Sequence, residues 1–349
     1  HRAGGGAAMS PHIQGVGWVT PAGRDIDSVF SAIRDGCRPT MCELKNPFSG
    51  QAHPVLLVDP GTVEDVTRLP RLRRSSAISH FAVAAALDAV KASGYQLGSS
   101  RLALVFASTN GGVIHTRRFF SDVSKSGPHA GSPLLFPETV YNAPASHIAA
   151  ALGITGTTLT LVGDSTAGTD ALVAAIDLLA SDACDHCLVV AAEEADWTLC
   201  EAYMTWGLSA RNPDGAVSPA SGAVFSEGAA ALLLGTESQH PIIEDVRPGI
   251  AFRSLGEARR RMAALCADMD AHSCSRLVSG SSGARFDIVE SDLPTGIEHF
   301  APKLVLGEAF AASTLIQTAC AAISLPAGAR ALVPTAGYHG QVAALTVRG

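Results

Sequence analysis

A chain of 349 residues that is 47% hydrophobic and 16% charged, with 34 glycines, can bury a large core, and its length fits two structural units. A net charge of −7 excludes the basic footprint that phosphate contacts need, and the clusters Arg71, Arg73, Arg74 and Arg259 to Arg261 read as solvated faces. No apolar run approaches the roughly 20 residues of a membrane span; the longest, Ala229 to Leu234, is strand-sized, and a soluble, cytoplasmic protein is expected.

The chain opens His-Arg-Ala-Gly-Gly-Gly-Ala-Ala before Met9 with no apolar stretch, so residues 1–8 are read as an expression remnant outside the fold. Strands and helices then alternate, which predicts a layered α/β protein. A strand is predicted near Ile13 to Val19, a short helix at Ser28 to Asp35, and a long helix at Ser75 to Ser93 with Ala, Leu and Val at helical spacing. There follow strand Leu102 to Ala107, helix Ile114 to Ser124, helix Pro144 to Leu152, strand Thr158 to Val162 and helix Ala167 to Ser181. Strand Cys187 to Ala192, helix Thr198 to Thr205 and strand Ala223 to Leu234 close this cycle.

Composition turns polar through Glu237 to His240, and a second cycle begins. It comprises strand Ile242 to Val246, helix Leu255 to Met269, strand Arg276 to Ser279, helix Glu308 to Ile323, strand Leu332 to Thr335 and strand Gln341 to Val347. Two similar cycles suggest an internal duplication with halves 9–236 and 237–349.

Eight cysteines, at positions 37, 42, 184, 187, 200, 266, 274 and 320, are scattered through a core-rich chain, which is intracellular usage rather than a disulfide framework. Cys184 and Cys187 form a CxxC, but no second pair stands at zinc-ribbon spacing, and Cys187 falls in a predicted buried strand. A core role is expected, with no metal and no cofactor. Gly15 and Gly17 do not make a dinucleotide fingerprint, because Thr20 stands where the third glycine would fall.

Ser165 is the main candidate for chemistry. It ends the alternating run Thr158-Leu159-Thr160-Leu161-Val162 and precedes a helical pattern from Ala167, a strand–turn–helix setting in which several folds place a nucleophile. The plainest alternative is a helix N-cap, a role in which serine is common.

Four segments, Ile13 to Gly23, Phe136 to His147, Phe225 to Ala230 and Gly337 to Gly340, in this order resemble segments of the β-ketoacyl synthases, which have the thiolase fold. Ile13-Gln-Gly-Val-Gly-Trp-Val-Thr-Pro-Ala-Gly23 resembles the family's opening strand and turn, and Phe136-Pro-Glu-Thr-Val-Tyr-Asn142 with Ala143-Pro-Ala-Ser-His147 the segment before the nucleophile strand. Phe225-Ser-Glu-Gly-Ala-Ala230 is similar to a Gly-Glu-Gly-Ala-Ala hairpin, and Gly337-Tyr-His-Gly340 to a Gly-Phe-Gly-Gly turn. The resemblance implies two duplicated α/β halves in a layered αβαβα arrangement. Active members use a cysteine thiolate at a helix N-terminus and two histidines for decarboxylative condensation.

Here Gly156-Thr-Thr-Leu-Thr-Leu-Val-Gly-Asp-Ser165 matches the stretch that ends in the cysteine, and Ser165 stands in its place. Val278-Ser279-Gly280-Ser-Ser282 puts Ser279 where the first histidine belongs. Lys303-Leu-Val-Leu-Gly307-Glu308 keeps the family lysine as Lys303 and replaces the second histidine by Glu308. A serine hydroxyl needs a base, for which only Asp164 and Glu308 are near in the pattern, and a carboxylate opposes a forming enolate or oxyanion.

The resemblance therefore implies a chain length factor, the inactive partner of a catalytic ketosynthase, with an acyl carrier protein reaching the complex. Strand Thr158 to Val162, with Thr158, Thr160 and Val162, is expected at the subunit interface, and Phe119, Phe120, Leu134 and Leu135 along the acyl tunnel, unless these four are ordinary core. One alternative is a thiolase-fold acyltransferase or hydrolase with Ser165 as nucleophile and His339 as base; Gly163-Asp-Ser165-Thr-Ala167 is not a G-x-S-x-G elbow. His115 and His147 are further histidines that folding could bring close, His147 reading as a packing residue. A third reading is a homodimeric scaffold or binding protein.

Overall fold

The computed structural model describes residues 10–98, 101–209, 222–236, 241–283 and 285–349. The segment 1–8 and the polar stretch 237–240 lie outside the described residues. In chain order the elements are β1 (His12–Val19), α1 (Ile26–Asp35), β2 (Cys42–Lys45), β3 (Ala52–Leu56), α2 (Glu64–Thr67), α3 (Ala77–Ser93), β4 (Leu102–Ser108) and α4 (Val113–Ser126). Next come α5 (Ala143–Leu152), β5 (Thr158–Val162), α6 (Ala167–Ala180), β6 (His186–Glu193), α7 (Trp197–Thr205), β7 (Phe225–Ser226), β8 (Gly228–Gly235) and β9 (Ile242–Ala251). The chain closes with α8 (Leu255–Asp268), β10 (Arg276–Val278), β11 (Glu298–Phe300), α9 (Pro302–Leu306), α10 (Phe310–Ser324), β12 (Arg330–Ala336) and β13 (Gln341–Arg348).

The strands order as β11-β10-β12-β13-β9-β1-β8-β6-β4-β5. In this ten-stranded sheet β1, β8, β6, β4 and β5 stand on one side of the β9/β1 junction and the strands after Gly235 on the other, while β2, β3 and β7 form a separate small sheet; the junction rests on a single residue pair, His12 with Ile242. The sheet is thus two five-stranded runs folded over each other. Helices α6 and α10 fill the space between: α6 packs on β4 and β6 from one side and on β9 from the other, and α10 on β6 and β8 and on β12. Helix α3 covers the outer face of β1 and β8, and α8 the outer face of β13 and β12. This is the expected layered αβαβα arrangement.

The buried runs explain themselves. β6 and β8 are covered on both faces and read as continuous apolar sequence, as strands buried between helix layers do. α10 is buried from Phe310 to Ala322, and its small residues let a fully apolar helix sit between two sheets. Gly15 and Gly17 lie in mid-strand, where α3 lies directly on the backbone: a Cβ at Gly17 would stand 2.2 Å from the Ala85 carbonyl oxygen. α1 is capped at both ends, by the Asp25 carboxylate on the Ser28 N–H and by left-handed Gly36.

Four expectations need correction. The strand expected over Ala223 to Leu234 is broken: Ala223 makes an isolated bridge to Ser209, Phe225–Ser226 joins a small sheet with β2 and β3, and β8 starts only at Gly228. Gly228 has φ +145 and sits against the Val19 carbonyl, so the chain turns there. The β2–β3 hairpin itself was not predicted. The last long helix begins at Phe310, not at Glu308, because Glu308 is held in a bridge with Phe225 through Ser226 N to Glu308 O and Glu308 N to Val224 O. Ser165 is not the N-cap of α6: Thr166 already has helical angles, and no side chain caps the helix. Among the described residues no helix is long and apolar enough to cross a membrane.

Gly17→Ala tests the α3-on-β1 contact. The added methyl group meets the α3 backbone at Ala85 O and Ala89 N and cannot be relieved by a rotamer change, so we expect destabilisation of about 1–3 kcal/mol, read as a lower denaturation midpoint. An unchanged midpoint would show that α3 does not press on β1.

Candidate functional site

The site lies where the N-terminal ends of the two central helices meet the turn between β12 and β13. Ser165, at the end of β5, is fully buried, and its carbonyl accepts from Thr314 Oγ1 on α10 at 2.9 Å. Its hydroxyl has no hydrogen-bond partner among the described residues. Asp164 beside it is buried, and its Oδ1 accepts the N–H of Ser165 at 2.7 Å and of His339 at 3.0 Å, while Oδ2 accepts the N–H of Gln341 at 3.0 Å.

Ser279 follows β10. Its N–H donates to Phe300 O, and its hydroxyl donates to Glu290 Oε2 at 2.5 Å. Glu290 also takes the Gly280 N–H at 2.8 Å, and burial pushes its carboxyl up to about 7. Ser279 and Glu290 line a cavity of about 360 Å³ that opens past Pro294 to Ile297.

Glu308 and Lys303 form a buried ion pair at 2.8 Å, with Glu308 Oε1 also taking the Phe310 N–H at 2.7 Å. The pair is close but poorly angled for a hydrogen bond, leaving Lys303 Nζ and Glu308 Oε2 with charge contact only. An aromatic group of Tyr203, Phe225, Phe310 and Tyr338 packs against these residues, with ring centroids 5.0 to 6.1 Å apart. Tyr203 Oη lies 2.9 Å from His339 Nε2, and burial raises the phenol.

The predicted site residues are placed as follows. Ser165, Asp164 and His339 stand together, and Lys303 and Glu308 form one pair. Neither candidate base reaches the Ser165 hydroxyl: Asp164 is committed to three backbone donors and Glu308 to Lys303 and Phe310. His339 Nδ1 lies 3.6 Å from Asp164 Oδ1, and its other nitrogen meets Tyr203. His147 is a packing residue bound to Glu138 at 2.7 Å, and His115 sits in α4, apart from Ser165, with burial lowering its pKa. Cys187 is buried in β6 and Cys184 beside it, as core residues.

Of the four residues expected along a tunnel, Phe120 lines a cavity of about 740 Å³ between α4, α7 and Phe48, together with Val113, Trp197 and Leu199. Phe119 instead packs on Phe136, Leu135 is half-buried, and Leu134 is 63% exposed, so the plain-core reading fails for Phe120 and Leu134. Among the described residues β5 is the edge of its sheet, paired only with β4, with Thr158 and Val162 exposed and Thr160 half-buried.

Sequence reasoning missed Tyr203, Glu290 and the carboxylates Glu193 and Glu194. Glu193 accepts the N–H groups of Thr109 and Asn110, and burial pushes it up to about 8. Glu194 accepts the N–H groups of Ile78 and Ile114. Two acids directly after an apolar strand run were the available signal. Glu227, inside a quoted motif, accepts the N–H groups of Val58 and Ala195 and is pushed up to about 7.

Layered in this way, with a strand–turn–helix junction at Ser165 facing a glycine turn, the chain is a thiolase-fold protein. It belongs to the β-ketoacyl synthase family: the model described as Beta-ketoacyl synthase, N-terminal domain, matches residues 12–240. Among solved structures it is similar to the ishigamide ketosynthase/chain length factor, with a TM-score of 0.83 at 16% identity over 98% of this chain and 99% of that one. A type II PKS acyl-carrier protein in complex with its ketosynthase, AntDE:AntF, gives 0.82 at 15% identity over 98% and 100%. The ketosynthase ApeO in complex with its chain length factor ApeC from Xenorhabdus doucetiae gives 0.78 at 15% identity over 97% and 98%. At such identity the likeness concerns the fold alone.

The buried carboxyls set a pH dependence. Glu193, Glu227 and Glu290 have folded pKa values of about 8, 7 and 7 against an ordinary 4.5, so the folded chain keeps protons that the unfolded chain has lost. Their contribution to stability is present at low pH and is lost as pH rises through the folded values. His80 and His115 are shifted down from 6.5 by burial and act in the opposite direction, but their contribution is essentially complete once pH exceeds that value. Stability therefore falls from pH 6.5 to 8. Thermal melts should show this, and Glu193→Gln should flatten the slope; a melting temperature that rises over this range would contradict the assignment.

Proposed function

We propose that the chain is a non-catalytic chain length factor, pairing with an active ketosynthase and shaping its acyl tunnel in type II polyketide or fatty-acid-like elongation. The observation that carries this is the state of the three family positions: Ser165 and Ser279 are serines, and Glu308 is a carboxylate. The Ser165 hydroxyl meets no base, Ser279 is spent on Glu290, and Glu308 is spent on Lys303. None of these can supply a thiolate or a neutral imidazole, and Glu308 puts a carboxylate where an enolate would have to form.

Three features support a partner. The unpaired edge of β5 leaves a row of backbone groups open, with Val162 50% exposed. Leu134, Phe136, Val140 and Tyr141 are exposed apolar side chains on the connection between α4 and α5. The apolar cavity at Phe120 is of a size to take part of an acyl chain. We infer that Thr158, Thr160 and Val162 meet the ketosynthase, that Phe120 rather than Phe119, Leu134 or Leu135 bounds the chain, and that an acyl carrier protein reaches the site through the complex. The halves 9–236 and 237–349 are read as the duplicated units, and no cofactor is invoked. Use of Ser165 as a nucleophile with His339 as base gains no support, because His339 is engaged by Tyr203 and stands off the hydroxyl.

Co-expression with a ketosynthase that carries an intact Cys-His-His set should yield a stable one-to-one complex; a well-behaved homodimer that ignores the ketosynthase would instead support a scaffold. Incubation with acyl thioesters should leave the intact mass of this chain unchanged. An adduct lost in Ser165→Ala would establish the acyltransferase reading. In the reconstituted complex Phe120→Ala should lengthen or broaden the products, and an unchanged product profile would remove Phe120 from the tunnel.

A further inference from the structure

The Asp164 carboxylate occupies a place that the backbone has built for an oxyanion. Two N–H groups, from Ser165 before α6 and from His339 in the β12–β13 turn, point at one oxygen at 2.7 and 3.0 Å, and the second oxygen takes Gln341 N–H at 3.0 Å. The three donors come from segments more than 170 residues apart in sequence, so their convergence is a property of the tertiary fold. Gly337 makes room for the group: a Cβ there would stand 2.1 Å from Asp164 Cγ. Donors converging on one oxygen at a helix N-terminus are the arrangement that stabilises a developing oxyanion.

We propose that Asp164 is a resident anion that fills this donor site and keeps the carbonyl oxygen of an acyl thioester out of it. This rests on the non-catalytic reading above and adds to it a second block, independent of the missing thiol and imidazoles. Restoring a thiol at position 165 is then insufficient. The incoming thioester carbonyl finds its donors taken, and the neighbouring carboxylate repels both a thiolate and a tetrahedral oxyanion. With the Asp164 side chain removed, the same N–H groups are open to a small carboxylate or a thioester carbonyl.

The test compares Ser165→Cys with Asp164→Ala/Ser165→Cys in acylation by a short acyl-coenzyme A thioester, followed by intact mass. In this step the introduced thiolate attacks the carbonyl carbon, a new C–S bond forms, the old C–S bond breaks, and the departing coenzyme A thiolate takes up the proton lost by the thiol. We expect the double variant to react at least tenfold faster than the single one. Equal rates would overturn the proposal, whereas acylation of the unaltered chain at Ser165 would overturn the non-catalytic reading instead.

Asp164→Asn/Ser165→Cys, which keeps an acceptor oxygen in the site, should stay slow; reaction as fast as the alanine variant would also overturn the proposal. A third measurement uses Asp164→Ala alone. Formate should raise its melting temperature by several degrees more than chloride at equal ionic strength, with no such difference in the unaltered chain. No differential effect of formate, or failure to fold in its presence while Asp164→Asn also fails, would count against a donor site that accepts an anion.

Discussion

Irregular backbone at the ends of the strands has N–H groups that no ladder or helix can take, and the structure satisfies them with buried carboxylates. Asp164 serves Ser165, His339 and Gln341; Glu193 serves Thr109 and Asn110; Glu194 serves Ile78 and Ile114; Glu227 serves Val58 and Ala195. An unpaired buried N–H costs as much as a lost hydrogen bond, and a carboxylate oxygen can accept from more than one donor at once. Glu227 thus joins two loops, Glu194 the starts of α3 and α4, and Glu193 holds the turn after β4. The arrangement has a cost in charge, which burial reduces by raising Glu193, Glu227 and Glu290 toward neutrality at physiological pH.

The same device fastens the two halves of the sheet where strand pairing does little. β1 and β9 touch at one pair, so the halves are held chiefly through α6, α10 and the links between them. Asp164 belongs to the first half and two of its three donors to the second. Thr314 on α10 donates to the Ser165 carbonyl, and Thr166 Oγ1 meets Gln341 at 2.7 Å, so Ser165 stands at a structural junction. Gly168 lets the helices approach, since a Cβ there would lie 2.7 Å from the Ala311 carbonyl. A residue at such a junction can lose its chemistry and still be held in place by its neighbours.

What could be read from the sequence was what burial dictates over long stretches. α3, α6, α8 and β13 carry periodic or continuous apolar runs, and their ends fell within a few residues of expectation. The β2–β3 hairpin was missed because both strands are short, β2 is largely exposed, and β3 carries His53 and Pro54 where an apolar run would signal a strand. Glu308 looked like a helix-former at a helix start, but a bridge to Phe225 fixes it in extended form. Ser165, Ser279 and Glu308 were singled out by the register of the family resemblance alone. Their partners were not: Glu290 reaches Ser279 from a separate turn, and Tyr203 reaches His339 from a helix 136 positions earlier, contacts that only tertiary structure brings about.

The two central helices bring their N-termini to the same site. An α-helix N-terminus carries partial positive charge and favours an anion. In an active ketosynthase that charge supports a thiolate at one helix. Here Asp164 stands before α6, and Glu308 takes the first N–H of α10, so each N-terminus has a fixed carboxylate of its own. Both anions are better placed for stability than a serine hydroxyl or a neutral imidazole would be, because they satisfy backbone donors as well as the dipole. Lys303 supports the second of them from 2.8 Å. Strained and electrostatically frustrated groups are common at catalytic centres, and removing them ordinarily adds stability while activity falls. Asp164 and Glu308 tie the starts of α6 and α10 to their neighbours, and the site is the junction that holds the scaffold together.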